Sequence, residues 1–290
     1  MTKPFSKTII YLIGLMPVKE VNKMSFILSL FPLFAVAMII SAIGFKNYVW
    51  FISLGYGFSI AGEGLLMLLL FGGWLTPGVT ICCMLFIAYG VRLGGYLAVR
   101  EFGSSSYSKN MVGEIKDGKT IPMGVKIAIW VTCAALYVTQ VSPVFFRMLN
   151  GSGSSTITYI GAAIMLFGLV FESISDIQKN AAKKINSRRF VDTGLYRFVR
   201  CPNYLGELIF WTGVLITGLD ALTGPVQWIV ALIGYAGIVF VMFSGARRLE
   251  IRQNKNYGSD PEYQEYVKTV PIMIPFIPLY SVEKYKWLIG

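Results

Sequence analysis

Seven long, mostly apolar stretches restrict this sequence more than any other feature. They cover residues 24–44, 49–75, 79–99, 124–149, 156–174, 205–219 and 226–245. A helix needs about 20 mainly apolar residues to cross the hydrocarbon core of a bilayer. Only 14% of the chain is charged, against about 25% in an average soluble domain. The sequence therefore predicts an all-α, polytopic membrane protein with seven transmembrane helices in a single domain, 1–290.

The basic residues predict how such a protein is oriented. Most of the Lys and Arg residues fall in 100–123, in 178–200 and after residue 245, which share one side of a seven-span topology. The positive-inside rule then places the C-terminus in the cytoplasm. We interpret the net charge of +11 as this topological signal and expect no nucleic-acid partner. The apolar piece at 7–17 is too short to span, so 1–23 is predicted to be an interfacial segment and not a signal peptide.

The composition also excludes some kinds of site. The chain has no histidine, so His-based zinc sites and Ser-His-Asp triads are ruled out, and no metal is expected. Cys82, Cys83 and Cys133 fall inside apolar stretches, which favours buried thiols over disulfides.

Glu63 is an acid in the middle of the second apolar stretch, and glycines flank it on both sides. We interpret those glycines as room for a bulky neighbour or a ligand. A carboxylate inside a membrane is costly, which makes Glu63 a functional candidate; the alternative is a hydrogen bond to a Tyr or Ser of a neighbouring helix. Tyr89, in the next stretch, has a phenol that can donate to a carbonyl and stabilise an enolate, or it is an ordinary membrane tyrosine.

A polar, basic segment at 192–207 leads into the sixth stretch. Pro202 favours a helix start, so Asn203 and Glu207, four residues apart, share one face of the incoming helix. Arginines, lysines and carboxylates follow one another around this motif, which suits a ligand with phosphates, an amide and sugar hydroxyls, such as a nucleotide. The alternative is positive-inside charge that binds acidic lipid head groups. The charged residues are Glu172, Asp176, Lys179, Lys183, Arg188, Arg189, Arg197, Arg200, Arg247, Arg248 and Glu250.

The C-terminal part of the chain resembles a known family. The segments 176–179, 193–196 and 200–207 are similar to the C-terminal signature of the steroid 5-alpha-reductase family, and 247–276 resembles the end of the sterol C14-reductases. The resemblance extends from residue 172 to 290. It implies a seven-helix membrane reductase that uses NADPH from the cytosol, with 172–290 as the cofactor-binding half.

The resemblance also implies roles for individual residues. Asn203 and Glu207 match the pair that holds the nicotinamide amide. Tyr89, three residues before Arg92, resembles the catalytic tyrosine, and Glu63 would pair with it across the substrate carbonyl. The predicted cofactor-binding set is Arg92, Asp176, Lys179, Lys183, Arg197, Asn203, Tyr204, Glu207, Arg247, Arg248 and Glu250, of which Asp176, Lys183, Arg247 and Arg248 would face the ribose and phosphates.

The activity implied by the resemblance is that of a 3-oxo-5-alpha-steroid 4-dehydrogenase, which reduces a C=C bond conjugated to a ketone in a steroid or other hydrophobic enone. The same superfamily includes isoprenylcysteine and phospholipid methyltransferases that use S-adenosylmethionine, whose signature has His where this chain has Cys201. That difference and the Asn203/Glu207 pair favour the reductase. A third hypothesis is a lipid- or sterol-binding protein without enzymatic activity. We expect a monomer in a bacterial inner membrane or the endoplasmic reticulum, in contact with membrane lipid.

Overall fold

The structure is a computed structural model that describes residues 29–103 and 121–288. The chain is mostly helical in these ranges, and they contain no β-strand. The predicted interfacial segment 1–23 and most of the basic loop at 100–123 lie outside the described residues. The α-helices are α1 (Phe31–Ser41), α2 (Leu54–Leu70), α3 (Pro77–Gly103), α4 (Met123–Leu149), α5 (Thr156–Ile185), α6 (Pro202–Gly218), α7 (Gly224–Tyr257) and α8 (Pro261–Thr269).

The helices confirm an all-α protein with membrane-spanning character. Five of them, within the described residues, are long and apolar enough to cross a membrane: Tyr48–Leu70, Pro77–Phe102, Met123–Leu149, Thr156–Ile185 and Gly224–Tyr257. The segment Phe31–Phe45 is apolar but shorter, and α6 has 17 residues. Each of the seven predicted stretches therefore contains a helix, while the count of seven spans is not established by their lengths.

Two helices continue well beyond the apolar stretches that predicted them. α5 runs to Ile185 rather than to residue 174, and α7 runs to Tyr257 rather than to 245. Neither extension contains a proline, and α7 ends directly before Gly258. About a third of the basic segment 178–200 is thus α-helix. The helix α4 contains Pro143 and continues to Leu149.

The chain divides into two compact units, each built from separate parts of the sequence. The first contains 1–162 and 214–234, and the second contains 163–213 and 235–290. The predictions of one domain and of a cofactor-binding half at 172–290 stay predictions.

In the first unit, α2 and α3 approach each other until their backbones touch. A Cβ at Gly57 would lie 2.7 Å from the backbone nitrogen of Gly94, and one at Gly64 would lie 2.9 Å from the carbonyl oxygen of Cys83. Glycine is required at these places because any side chain would force the helices apart. On the other face of α2, Gly62 meets the side chain of Ile40. The glycines around Glu63 therefore make room for neighbouring helices, and Gly62 makes room for the side chain of Ile40, which is the bulky neighbour that one of the two interpretations predicted.

The first unit also contains a buried arginine with a complete set of partners. Arg147, near the end of α4, is 0% exposed. Its Nε donates to the carbonyl oxygen of Thr217 and its Nη1 to that of Gly153, each at 2.7 Å, and its Nη2 contacts a carboxylate oxygen of Asp220. These bonds fix the end of α4 to the segments that follow α4 and α6, since a buried guanidinium is tolerated only when it is paired and hydrogen-bonded.

Candidate functional site

The polar motif of the second unit begins with a turn that only glycine can make here. Gly194 has φ +62°, and a Cβ at this position would collide with the side chain of Gln178. The Oε1 of Gln178 accepts a hydrogen bond from the backbone N–H of Leu195 at 2.8 Å. The hydroxyl of Tyr266 donates to the carbonyl oxygen of Tyr196 at 2.8 Å. Helices α5 and α8 thus hold the turn from two sides.

The start of α6 is fixed by backbone pairing with the C-terminal segment. The N–H of Arg200 donates to the carbonyl oxygen of Pro271, and that of Cys201 donates to Ile272, both at 2.9 Å. Pro202 then opens the helix, as predicted. Burial raises the pKa of the Cys201 thiol to about 12. This cysteine is therefore an inert part of the support for α6 and not a nucleophile.

Three helices of the second unit bring most of the predicted cofactor residues into one region. Tyr204 on α6 lies within electrostatic range of Glu207 on the same helix and of Arg248 and Arg252 on α7. The ring of Tyr204 also lies 3.4 Å from the position of a Cβ at Gly245. Cys201, at the start of α6, lies within electrostatic range of Lys179 on α5.

The exposures in this region differ between acids and bases. Glu207 is 5% exposed and Asp176 is 7% exposed, whereas Arg197 and Arg248 are exposed and Asn203 is half-buried. Buried carboxylates beside accessible guanidinium groups form a donor and acceptor set that fits a dinucleotide. Carboxylate and amide side chains can bind a carboxamide or ribose hydroxyls, and guanidinium groups bind phosphates.

Lys183, Arg247 and Glu250, three of the predicted cofactor residues, bind other parts of the chain. The Nζ of Lys183 donates to the carbonyl oxygens of Ser187 and Arg189 and, at 2.9 Å, to the hydroxyl of Tyr257. Lys183 thus joins the last turns of α5 to the segment that follows the helix and to Tyr257 at the end of α7.

The other two of the three bind the C-terminal segment. Arg247 donates from Nε to the carbonyl oxygen of Glu283 at 3.0 Å. Glu250 accepts from Arg200 at 2.9 Å and from the N–H groups of Val282 and Glu283 at 2.9 and 3.0 Å. Through these contacts both residues hold the C-terminal segment in place. Their contact with a cofactor stays a prediction.

The first unit places Glu63 in the interior of the helices. It is 0% exposed, and among the described residues neither of its carboxylate oxygens has a hydrogen-bond partner. Within the described residues Glu63 therefore makes no hydrogen bond to a Tyr or Ser of a neighbouring helix, which was the alternative interpretation. Tyr89 is also fully buried, and its hydroxyl donates to the hydroxyl of Tyr56 at 2.9 Å. Arg92, one turn after Tyr89, places its guanidinium 5.9 Å from the ring centroid of Tyr96.

The sequence interpretation missed further polar residues in the same interior. Tyr56 stacks at an angle on Tyr137, with ring centroids 5.2 Å apart, and the hydroxyl of Tyr137 donates to the carbonyl oxygen of Phe51 at 2.5 Å. Tyr56 precedes Glu63 by seven residues, two helical turns, so the spacing could have placed both on one face of α2. Tyr137 and the nearby Gln140 had no comparable signal, because only tertiary packing brings α4 against α2.

These features define an integral membrane protein with a buried acid and phenol group in one unit and a nucleotide-compatible cluster of charged side chains in the other. The family model described as "Protein of unknown function (DUF1295)" matches residues 33–270, and the chain belongs to this family.

Curated relatives extend this result. A very-long-chain enoyl-CoA reductase of Dictyostelium discoideum is 34% identical over 121 residues, which is 41% of this chain and 36% of the relative. The 3-oxo-5-alpha-steroid 4-dehydrogenase 1 of Rattus norvegicus is 27% identical over 119 residues, 40% of each chain. The steroid 5-alpha-reductase DET2 of Arabidopsis thaliana is 28% identical over 121 residues, 41% of each chain. No solved structure matches significantly.

The matches cover well under half of each relative. They nevertheless confirm the resemblance to the steroid 5-alpha-reductase family. Each of the three relatives is an oxidoreductase by name, which supports an enzyme of that class, whereas nothing supports the methyltransferase alternative.

Proposed function

We propose that the protein reduces a C=C bond conjugated to a carbonyl group, with NADPH as the reductant. The observation that carries this proposal is Glu63, a fully buried acid whose two oxygens have no hydrogen-bond partner among the described residues. A buried unpaired polar group is costly, so a ligand that binds it compensates for that cost. Tyr89 in the same unit is the second donor of the proposed site.

The two donors act on the carbonyl oxygen of the substrate. Glu63 in its protonated form donates a hydrogen bond to that oxygen, and the hydroxyl of Tyr89, which donates to Tyr56 in this structure, reorients to donate to it as well. These bonds make the β-carbon electrophilic. When bound, NADPH supplies a hydride. As the β-carbon accepts the hydride, the electron pair of the C=C bond shifts to form an enolate, whose negative oxygen both donors stabilise. A proton taken from water adds to the α-carbon and restores the ketone, so the substrate gains two hydrogens and NADPH becomes NADP+.

The cofactor would be held by the charged region of the second unit. Asn203 and Glu207 carry amide and carboxylate groups that can bind the nicotinamide carboxamide, and Asp176 is a ribose-hydroxyl acceptor. The phosphates would be bound by cations of α5, α6 and α7 and the turn before α6. The rest of the predicted set in this unit is Lys179, Lys183, Arg197, Tyr204, Arg247, Arg248 and Glu250, while Arg92 belongs to the first unit and its contact with the cofactor stays a prediction.

The substrate class follows from the chemistry of the site and from the names of the relatives. A 3-oxo-Δ4-steroid is the first candidate, and its product is the 5α-reduced ketone. The enoyl-CoA reductase relative favours a second candidate, an α,β-unsaturated thioester, which has the same conjugated carbonyl. We also propose that the protein is a monomer with seven transmembrane helices and that its C-terminus lies in the cytoplasm.

A spectroscopic assay tests the function directly. Purified protein in detergent is given NADPH and a panel containing progesterone, other enone steroids and a trans-2-enoyl-CoA, and NADPH oxidation is followed by absorbance. Sustained oxidation with at least one enone supports the proposal. No oxidation with any of them, together with no NADP(H) bound to the purified protein, would overturn it.

Substitutions then assign the two parts of the site. Glu63→Gln and Tyr89→Phe should each lower kcat by about 10²-fold or more, the usual loss for an oxyanion donor, with NADPH affinity retained. Tyr137→Phe is the matched control, because its hydroxyl is bonded to the carbonyl of Phe51.

The cofactor side has its own pair of variants. Asn203→Ala and Glu207→Ala should raise the dissociation constant for NADPH, measured by fluorescence titration, by about tenfold or more, because each removes a hydrogen bond to the carboxamide. Unchanged NADPH affinity in both would refute the nicotinamide assignment but leave the carbonyl donors standing.

A further inference from the structure

Gln140 on α4 is another buried polar side chain that has no hydrogen-bond partner among the described residues. It is 3% exposed, and neither its amide nitrogen nor its amide oxygen has a hydrogen-bond partner in the part of the chain that the structure describes. Its neighbours on the same helix are satisfied: Tyr137 donates to Phe51, and Arg147 has three acceptors. Buried amides normally have partners, so two orphaned polar atoms on one side chain point to a ligand.

The register of the helices places Gln140 at the depth of Tyr89. α2 runs antiparallel to α3, since Gly57 meets Gly94 and Gly64 meets Cys83. α2 runs parallel to α4, since Tyr56 contacts Tyr137 and Phe71 contacts Phe145. Helices α3 and α4 are therefore antiparallel to each other.

Two side-chain contacts then set the level. The hydroxyl of Tyr89 on α3 donates to the hydroxyl of Tyr56, whose ring centroid lies 5.2 Å from that of Tyr137 on α4. Gln140 follows Tyr137 by three residues, which is about 4.5 Å along the helix.

Glu63 lies at nearly the same depth. A Cβ at its neighbour Gly64 would meet Cys83 and Phe86 on α3, and Phe86 lies within one turn of Tyr89. Glu63 is also within electrostatic range of Tyr137, one turn before Gln140. Three helices thus bring an acid, a phenol and an amide to one level of the first unit. The acid and the amide are both unpaired among the described residues.

We propose that Gln140 is a third hydrogen-bond donor to the carbonyl oxygen of the substrate. This rests on the proposed function and adds a residue to its site. A ketone oxygen accepts two hydrogen bonds well, and an enolate oxygen, which carries an additional lone pair, accepts three. The amide N–H of Gln140 therefore binds more strongly as negative charge develops, so it contributes to kcat more than to KM.

Gln140→Leu tests this role, since leucine is similar in size and has no polar atom. We expect kcat to fall by about 10²-fold, the scale for an oxyanion donor, with KM and NADPH affinity changed by less than a few fold. The unfolding temperature should stay the same or rise, because the substitution removes two buried polar atoms that have no partner in the ligand-free protein. Lower activity with equal or higher stability is the signature of a ligand-binding residue.

Gln227→Leu is the matched control in the same unit. The amide of Gln227 is paired with Asn150 and accepts from the N–H of Thr223. This variant should lower the unfolding temperature and leave kcat unchanged. If Gln140→Leu behaves in the same way, Gln140 is structural and the inference is wrong.

The outcomes separate the inference from the proposed function. If Glu63→Gln and Tyr89→Phe lose turnover while Gln140→Leu keeps it, the inference fails alone. If none of the three loses turnover, the proposed carbonyl site fails as a whole. The rise in unfolding temperature that progesterone produces gives a readout independent of turnover, and the inference requires Gln140→Leu to leave that rise nearly unchanged, because the ketone oxygen already has two donors.

Discussion

The Arg147 network offers a stability prediction that can be worked from the structure. Arg147→Leu removes a guanidinium that is fully buried and donates to Thr217 and Gly153 at 2.7 Å and to Asp220. Two carbonyl oxygens then lose their donor, and the Asp220 carboxylate loses its counter-charge. The side chain of Asp220 is 33% exposed, so water compensates for part of that last loss.

The expected loss in the free energy of unfolding lies at the lower end of the range for removing one partner of a buried salt bridge. Removing one partner of a buried salt bridge costs about 3–5 kcal/mol, and we take about 3 kcal/mol because Asp220 is partly solvated. At roughly 2–4 °C per kcal/mol for a chain of this size, the unfolding temperature falls by about 6–12 °C. Asp220→Asn keeps an acceptor for Arg147 and should cost only about 1 kcal/mol.

The four cysteines provide the assay. All of them are buried, so a dye that fluoresces on reaction with a thiol reports unfolding in detergent as they become exposed. The order of unfolding temperatures should be wild type, then Asp220→Asn, then Arg147→Leu. A shift below about 2 °C for Arg147→Leu, less than 1 kcal/mol by the same conversion, would refute the view that this guanidinium holds the end of α4.

Two other predictions concern helix packing and thiol chemistry. Gly90→Ala should strongly reduce the yield of folded protein, because its Cβ would lie 2.6 Å from the backbone nitrogen of Ala61, whereas Gly95→Ala, with nothing within 4 Å, should be neutral; equal yields on size-exclusion chromatography would contradict this packing. Cys201 should resist iodoacetamide at pH 8 in the folded protein, since burial raises its thiol pKa to about 12 and only the thiolate reacts; rapid modification found by mass spectrometry would contradict that.

Hydropathy predicted the helices of this protein well and their ends less well. A helix lies in each predicted stretch because about 20 apolar residues have few other stable solutions in a membrane. The polar extensions of α5 and α7 carry no such constraint, and their helical state depends on tertiary partners. Lys183, which joins the last turns of α5 to Tyr257, is one of them. Such partners lie far away in the sequence, so the residues around a helix end do not reveal them.

Some residues of the candidate site can be recognised from local sequence patterns, whereas others depend on tertiary contacts. Asn203 and Glu207 are recognisable because a proline and a spacing of four define their helix face. Glu63 is recognisable because an acid in an apolar stretch is rare. The contacts of Glu250 and the position of Gln140 depend on residues far away in the chain, so no local pattern predicts them.

Glu250 joins three parts of the second unit that are remote in sequence: its own helix, Arg200 before α6, and the backbone at 282–283. Hydrogen bonds therefore hold the C-terminal segment to the rest of the unit, in addition to the covalent chain. A protease nick at Phe276, which is 99% exposed, would cut the chain but leave that segment docked. Loss of the Glu250 carboxylate would instead weaken that docking in an uncut chain, where Arg247 and Asn254 still donate to Glu283.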